Sequence, residues 1–139
     1  VDARMMPHEW LDTPSGFLKA DAVDHADDHF FPRDQDPAWD VAGVAVEFGL
    51  SPERELELAH SVASSIADKM LVNRLQFYGL AYSAFHLGYA ELAIAALGIT
   101  NPDAARFRVR AQELRHSIRQ RLAPAEATRK SVPLTVGNT

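Results

Sequence analysis

At 139 residues, 47% of them hydrophobic, the chain is long enough for one domain whose core needs no covalent staple, and too short for two independent ones. A formal net charge of -5 lacks the basic excess of a protein that grips a polyanion, which argues against nucleic acid as a partner, and the absence of cysteine excludes disulfides, thiolate metal sites and a cysteine nucleophile. The N-terminus carries no leader pattern, and no uninterrupted apolar run approaches the ~18 residues of a membrane span, so the expectation is a cytoplasmic protein with no membrane contact.

Residues 1–20 alternate short apolar pieces around a turn: Trp10 and Leu11, then Thr13-Pro14-Ser15-Gly16, then Phe17 and Leu18. This is the pattern of a β-hairpin. Residues 21–36 have no periodicity and contain Pro32, which predicts a loop. Asp36-Pro37 is an N-cap and first-turn pair, and Val41, Val44, Ala45 and Phe48 then recur at helical steps until Gly49. Ser51-Pro52 repeats the start signal, with Glu53, Glu55 and Glu57 near the positive end of the helix dipole. Leu56, Ala59, Val62, Ala63 and Ile66 form the stripe of this second helix, expected to reach about Met70.

A third helix from Leu71 to Leu97 carries Leu75, Tyr78, Tyr82, Phe85, Tyr89 and Leu92, read as a core-facing stripe rather than a cofactor box. Ala81, Ala84 and Gly88 beside it would admit another element closely. Asn101-Pro102 opens a last helix through Leu122, with Phe107, Leu114 and Ile118 inward. Its six arginines, at 106, 108, 110, 115, 119 and 121, read as a solvated face. Residues 124–139 are expected to form a flexible tail. His60, His86 and His116 are scattered along the helices and read as structural or surface residues.

The chemistry-bearing stretch is DAVDHADDHFFPRDQDPAWD, which places seven aspartates and two histidines within residues 21–40. Asp21 stands where the second strand runs out into loop, a position from which a carboxylate can reach an ion. Asp24, His25, Asp27, Asp28 and His29 follow too closely for all to converge on one ion. Magnesium, content with one or two carboxylates plus phosphate oxygens and waters, suits such a sparse site. Zinc on His25, His29 and a carboxylate needs a scaffold that the loop does not offer. The plainer alternative is a hydrated acidic loop of caps and turns.

PHEWL at 7–11, LKAD at 18–21 and DPAWDVAG at 36–43 resemble, in that order and spacing, the C-terminal lobe of the aminoglycoside phosphotransferase-like branch of the protein-kinase-like fold. The resemblance covers roughly residues 1–100, and DPAWDVAG is its most specific part. It implies a mainly α fold: a helical C-lobe with a short N-terminal β-hairpin followed by about four helices. The implied organisation is residues 1–20 as catalytic-loop region and hairpin, 21–36 as acidic loop and 37–123 as helical bundle. It further implies an ATP- and magnesium-dependent transfer of phosphate to a small-molecule hydroxyl, with Asp21 as metal ligand. Glu9 stands in the place of the family's metal-binding asparagine and is implied as a second magnesium ligand. Asp40 is implied as the structural brace at the helix start, and Asp24, Asp27 and Asp28 as a loop facing the acceptor. The catalytic aspartate of the family pattern, five residues before Glu9, is replaced by Arg4, and Asp2 is the nearest carboxylate, out of register. The pattern also calls for an N-terminal lobe upstream of Val1, without which the C-lobe alone should turn over little. Two other readings compete: a non-catalytic helical interaction domain whose acidic loop binds a basic partner, and a metal-dependent hydrolase built on His25, His29 and aspartates.

Overall fold

A computed structural model describes residues 5–20, 36–98 and 100–131. Met5 leads into a 3-10 turn at Pro7–Glu9, followed by strands β1 (Trp10–Thr13) and β2 (Gly16–Lys19), then helices α1 (Pro37–Glu47), α2 (Pro52–Ser65), α3 (Leu71–Leu97) and α4 (Ala104–Ser131). The protein is therefore mainly α with one short antiparallel hairpin at the N-terminal side, as the sequence predicts. In the hairpin Trp10 faces Lys19, Leu11 faces Leu18, and Thr13 faces Gly16, whose φ of 115° suits glycine at the turn. Candidate residues Asp2, Asp21, Asp24, Asp27 and Asp28, along with Arg4, His25 and His29, lie outside the described residues.

The helix starts follow the local signals. Asp36 caps α1 by accepting from the Ala38 N–H at 2.9 Å, with Pro37 behind it, and Ser51 caps α2 through the Arg54 N–H at 3.4 Å. The ends of α1 and α2 share one geometry. Leu50 N–H donates to the Ala45 carbonyl across Gly49 at φ 60°, and Asp68 N–H donates to the Ala63 carbonyl across Ala67 at φ 56°. Both are the six-to-one closure in which the residue after the helix cap turns left-handed. The sequence signals the first end through glycine. It hides the second behind an alanine, which is why α2 stops at Ser65 and not near Met70. Ala67 pays for a Cβ in that conformation, so Ala67→Gly is expected to raise unfolding free energy by about 0.5 kcal/mol in a denaturant titration.

The chain divides into two compact units, Val1–Tyr82 and Ser83–Thr139, with the boundary inside α3. In the first unit Ala38, Val41, Ala59, Ala63, Leu71 and Leu75 make the core, with Leu58, Val62, Val72 and Tyr78 packed against them. Beside this core Trp39 meets the Tyr82 ring at 5.1 Å between centroids and the Tyr78 ring edge-on at 6.5 Å. Tyr82 is fully buried and its hydroxyl donates to Glu47 at 3.0 Å. In the second unit Ala90, Ala104, Ala111 and Leu114 are buried, and the Ser83 and Ser117 hydroxyls lie 3.2 Å apart.

Two stripes depart from expectation. In α2, Ala59 and Ala63 are buried, but Leu56 and Ile66 are exposed. In α3 the stripe holds as core only in its first half: Leu75 and Tyr82 are buried, whereas Tyr89 and Leu92 are 67% and 72% exposed. The spacing is the reason. Five steps over 17 residues average fewer than the ~3.6 residues of a helical turn, so by Leu92 the stripe has rotated ~100° away from the face that Leu75 presents. Gly88 admits nothing closely, since no described atom lies within 4 Å of where its Cβ would be.

The last helix also differs from expectation, running through Pro124 to Ser131 where a tail was predicted. Ala123, Ala125, Glu126 and Ala127, all good helix formers, flank the proline. Among the described residues α3 is the one helix long and apolar enough to cross a membrane by length and composition, a weak signal that a core helix also gives.

Candidate functional site

The acidic segment enters and leaves the described structure at two anchors, both in the first unit. The entry lies at the open end of the hairpin. Ala20 N–H donates to the Glu9 carbonyl at 2.8 Å, which holds the residue before Asp21 beside the 3-10 turn. The Lys19 ammonium lies 3.2 Å from Glu9 Oε2, with 11% of the lysine side chain and 4% of the glutamate side chain exposed. His8, well exposed, stands 4.0 Å from the other carboxylate oxygen. Trp10 secures the same end, its ring edge-on to Phe48 with centroids 6.2 Å apart.

The exit is Asp36, and it carries more than its cap. Arg74, on the first turns of α3, donates to both of its carboxylate oxygens, from Nε at 2.6 Å and Nη2 at 3.0 Å. The same guanidinium reaches Asp68 in the α2–α3 turn through Nη2 at 2.5 Å. Asp68 in turn accepts from the Met70 N–H at 2.9 Å. One cation thus ties the start of α1 to the turn before α3. Burial pushes the Asp36 carboxyl upward, but hydrogen bonds from Arg74 and Ala38 and the arginine's charge outweigh it and hold the group below its ordinary value. Asp68 is also lowered, chiefly by its hydrogen bond from Arg74. Arg74 is raised by the same bonds, to Asp68 and then Asp36. Tyr78 is raised by burial and by the neighbouring Asp36.

Of the residues singled out in sequence, Glu9 is buried and ion-paired. Asp40 sits half-buried in the first turn of α1, one turn after the aspartate that caps the helix. Among the described residues no three acidic or histidine side chains, Glu9 and Asp40 included, gather as a metal site would require. Sequence reasoning missed Arg74, whose partner Asp36 is 38 residues away. It also missed Lys19 as the partner of Glu9, although counting the hairpin register back from Thr13 and Gly16 sets residue 9 opposite residue 20, with Lys19 adjacent.

Neither a family model, nor a curated protein, nor a solved structure matches the chain.

Proposed function

We propose that the chain is the C-terminal lobe of a magnesium-dependent phosphotransferase of the aminoglycoside phosphotransferase-like kind, acting in the cytoplasm on ATP and a small-molecule hydroxyl. The observation that carries the reading is the way the segment before the hairpin meets α1. A Cβ placed on Gly43, inside the DPAWDVAG motif, would lie 3.2 Å from Met5 Cγ and 3.3 Å from Met5 Cβ. A catalytic-loop region leading into a hairpin, an acidic loop and a D-P-x-x-D helix that packs back on that region is the order the resemblance calls for. The hairpin releases the chain at Ala20, one residue before the proposed ligand Asp21.

The described donor set does not by itself fit a magnesium ion. Glu9 is buried against an ammonium, and no second carboxylate of the described residues joins it in a metal-holding group. The proposed ligand role therefore rests on Asp21. When bound, the ion would neutralise nucleotide phosphate charge, and positioning would supply most of the remaining rate. The chain's own contribution is to anchor the described residues on either side of the acidic segment, Ala20 at the end of the hairpin and Asp36 at the start of α1. The reading requires an N-terminal lobe with a nucleotide-covering loop and a strand lysine. With that lobe present, Asp21→Ala is expected to weaken magnesium-ATP binding by tenfold or more, about 1.4 kcal/mol, by calorimetry. Unchanged affinity would sink the reading.

A second reading, a non-catalytic helical interaction domain with the acidic loop as its partner-binding segment, draws support from Tyr89 and Leu92, large side chains that α3 leaves exposed. It gains if no protein containing this chain binds magnesium-ATP and a basic peptide is retained by it instead.

A further inference from the structure

We infer that Glu9 and Lys19 form a positioning pair that fixes the point at which the chain leaves β2, and that Glu9 serves as this brace and not as a second magnesium ligand. The inference rests on the phosphotransferase reading in one respect, that the residue being positioned is Asp21.

The hairpin needs such a brace. It has only two strands of four residues each, and Leu11, Phe17 and Leu18 on it are all exposed, so little apolar burial holds it in place. A two-stranded hairpin in water is marginal by itself. Its open end is the part that is tied down: Trp10 packs on Phe48, Ala20 N–H bonds to the Glu9 carbonyl, and the Lys19 ammonium meets the Glu9 carboxylate. The last two of these join the turn before β1 to Lys19 at the end of β2 and to Ala20 just after it. Together they fix Ala20, the last described residue before Asp21.

The same geometry disfavours an ion at Glu9. Magnesium keeps several waters and takes few carboxylates. A side chain 4% exposed has no open side for those waters, and an ammonium 3.2 Å from Oε2 would repel a dication approaching that oxygen. Removing Lys19 strands the Glu9 charge in a buried place, which costs more than the intact pair contributes, and removing Glu9 leaves a half-buried ammonium without that carboxylate. The lysine is therefore part of the fold at this point, and its effect on the proposed site is transmitted through the chain direction at Ala20.

The test uses the full chain with its N-terminal lobe, and reads the thermal midpoint and magnesium-ATP affinity separately. Glu9→Gln and Lys19→Met are each expected to lower the midpoint by roughly 5 °C. Both are also expected to weaken magnesium-ATP binding, measured below the transition. The exchanged pair, Glu9→Lys with Lys19→Glu, is expected to recover most of the midpoint and to bind magnesium-ATP within about threefold of the wild type, a difference below 1 kcal/mol. Recovery of the midpoint with affinity still down tenfold or more would show that position 9 needs its carboxylate for the ion, and the inference would fall. It would fall equally if the single variants left the midpoint unchanged. Should the exchanged pair fold poorly, Glu9→Gln with Lys19→Gln keeps a hydrogen-bonded pair without charge, and the same two readouts decide. If the wild type itself binds no magnesium-ATP, the phosphotransferase reading fails, and the midpoints alone then decide whether the pair braces the hairpin.

Discussion

Tyr82→Ala is expected to lower the unfolding free energy by about 4 kcal/mol in a denaturant titration, with the midpoint falling and the slope unchanged. The ring is fully buried, packs tilted against Trp39 and lies over Gly43, where a Cβ would stand 2.8 Å from its Cε2. Truncation removes a large apolar surface and leaves a cavity between α1 and α3 that rigid helix backbones cannot close. Tyr82→Phe keeps the ring and loses only the bond to Glu47, so about 1 kcal/mol is expected. The reciprocal change tests the same contact from the other side. Gly43→Ala must push against a ring whose hydroxyl is tethered, or against Met5, and should cost about 2 kcal/mol. In the Tyr82→Ala background it should cost much less, because the clashing ring is gone, the new methyl fills part of the hole and only the tight Met5 contacts remain. Additive costs in the double variant would mean that the two positions do not share this packing.

What the sequence made legible was whatever is specified within a few residues. The Thr13 to Gly16 turn, the Asp36 and Ser51 caps and the Gly49 stop each depend on one residue type meeting one backbone geometry, and all appear where the pattern places them. Ala67 takes a left-handed conformation without advertising it, and the length of α2 is misjudged as a result. Burial is legible only where the period of the apolar residues matches the helix. Over α3 the mismatch accumulates, so a stripe that begins in the core at Leu75 ends in solvent at Leu92.

The candidate site divides along the same line. The aspartate-rich stretch announces where charge is concentrated, but charge density says nothing of which carboxylate has a partner. Asp36 reads in sequence as a cap and nothing more. Its arginine comes from another helix, and no local rule selects Arg74 among the chain's basic residues. Glu9 reads as a ligand only by analogy of position. Its environment, a half-buried ammonium two residues before Asp21, follows from the hairpin register, which is a tertiary fact written in local terms.

Arg74→Leu is expected to destabilise the protein by about 1–2 kcal/mol at neutral pH, below the ~3 kcal/mol at which the loss of a buried pair begins, because about a third of the side chain meets solvent and screens part of the interaction. The loss exceeds that of an ordinary surface bridge because one guanidinium serves two carboxylates, and removing it leaves Asp36 and Asp68 facing each other unneutralised. The pH dependence separates this from lost packing. Both carboxyls are held below their ordinary values in the folded protein, so the stability they contribute is fully present above the unfolded carboxylate pKa, about 4, and is lost as pH falls through the lowered folded values. The wild type should therefore weaken with acid below about pH 4. The variant, whose carboxyls have lost the cation that lowers them, should weaken less, and the gap between the two should narrow toward acid. Arg74→Lys keeps the charge without the two-pronged geometry and should recover about half of the loss at neutral pH. A gap that stays constant from pH 7 to pH 3 would mean that Arg74 acts through its aliphatic stem, and that the start of α1 is held by its cap alone.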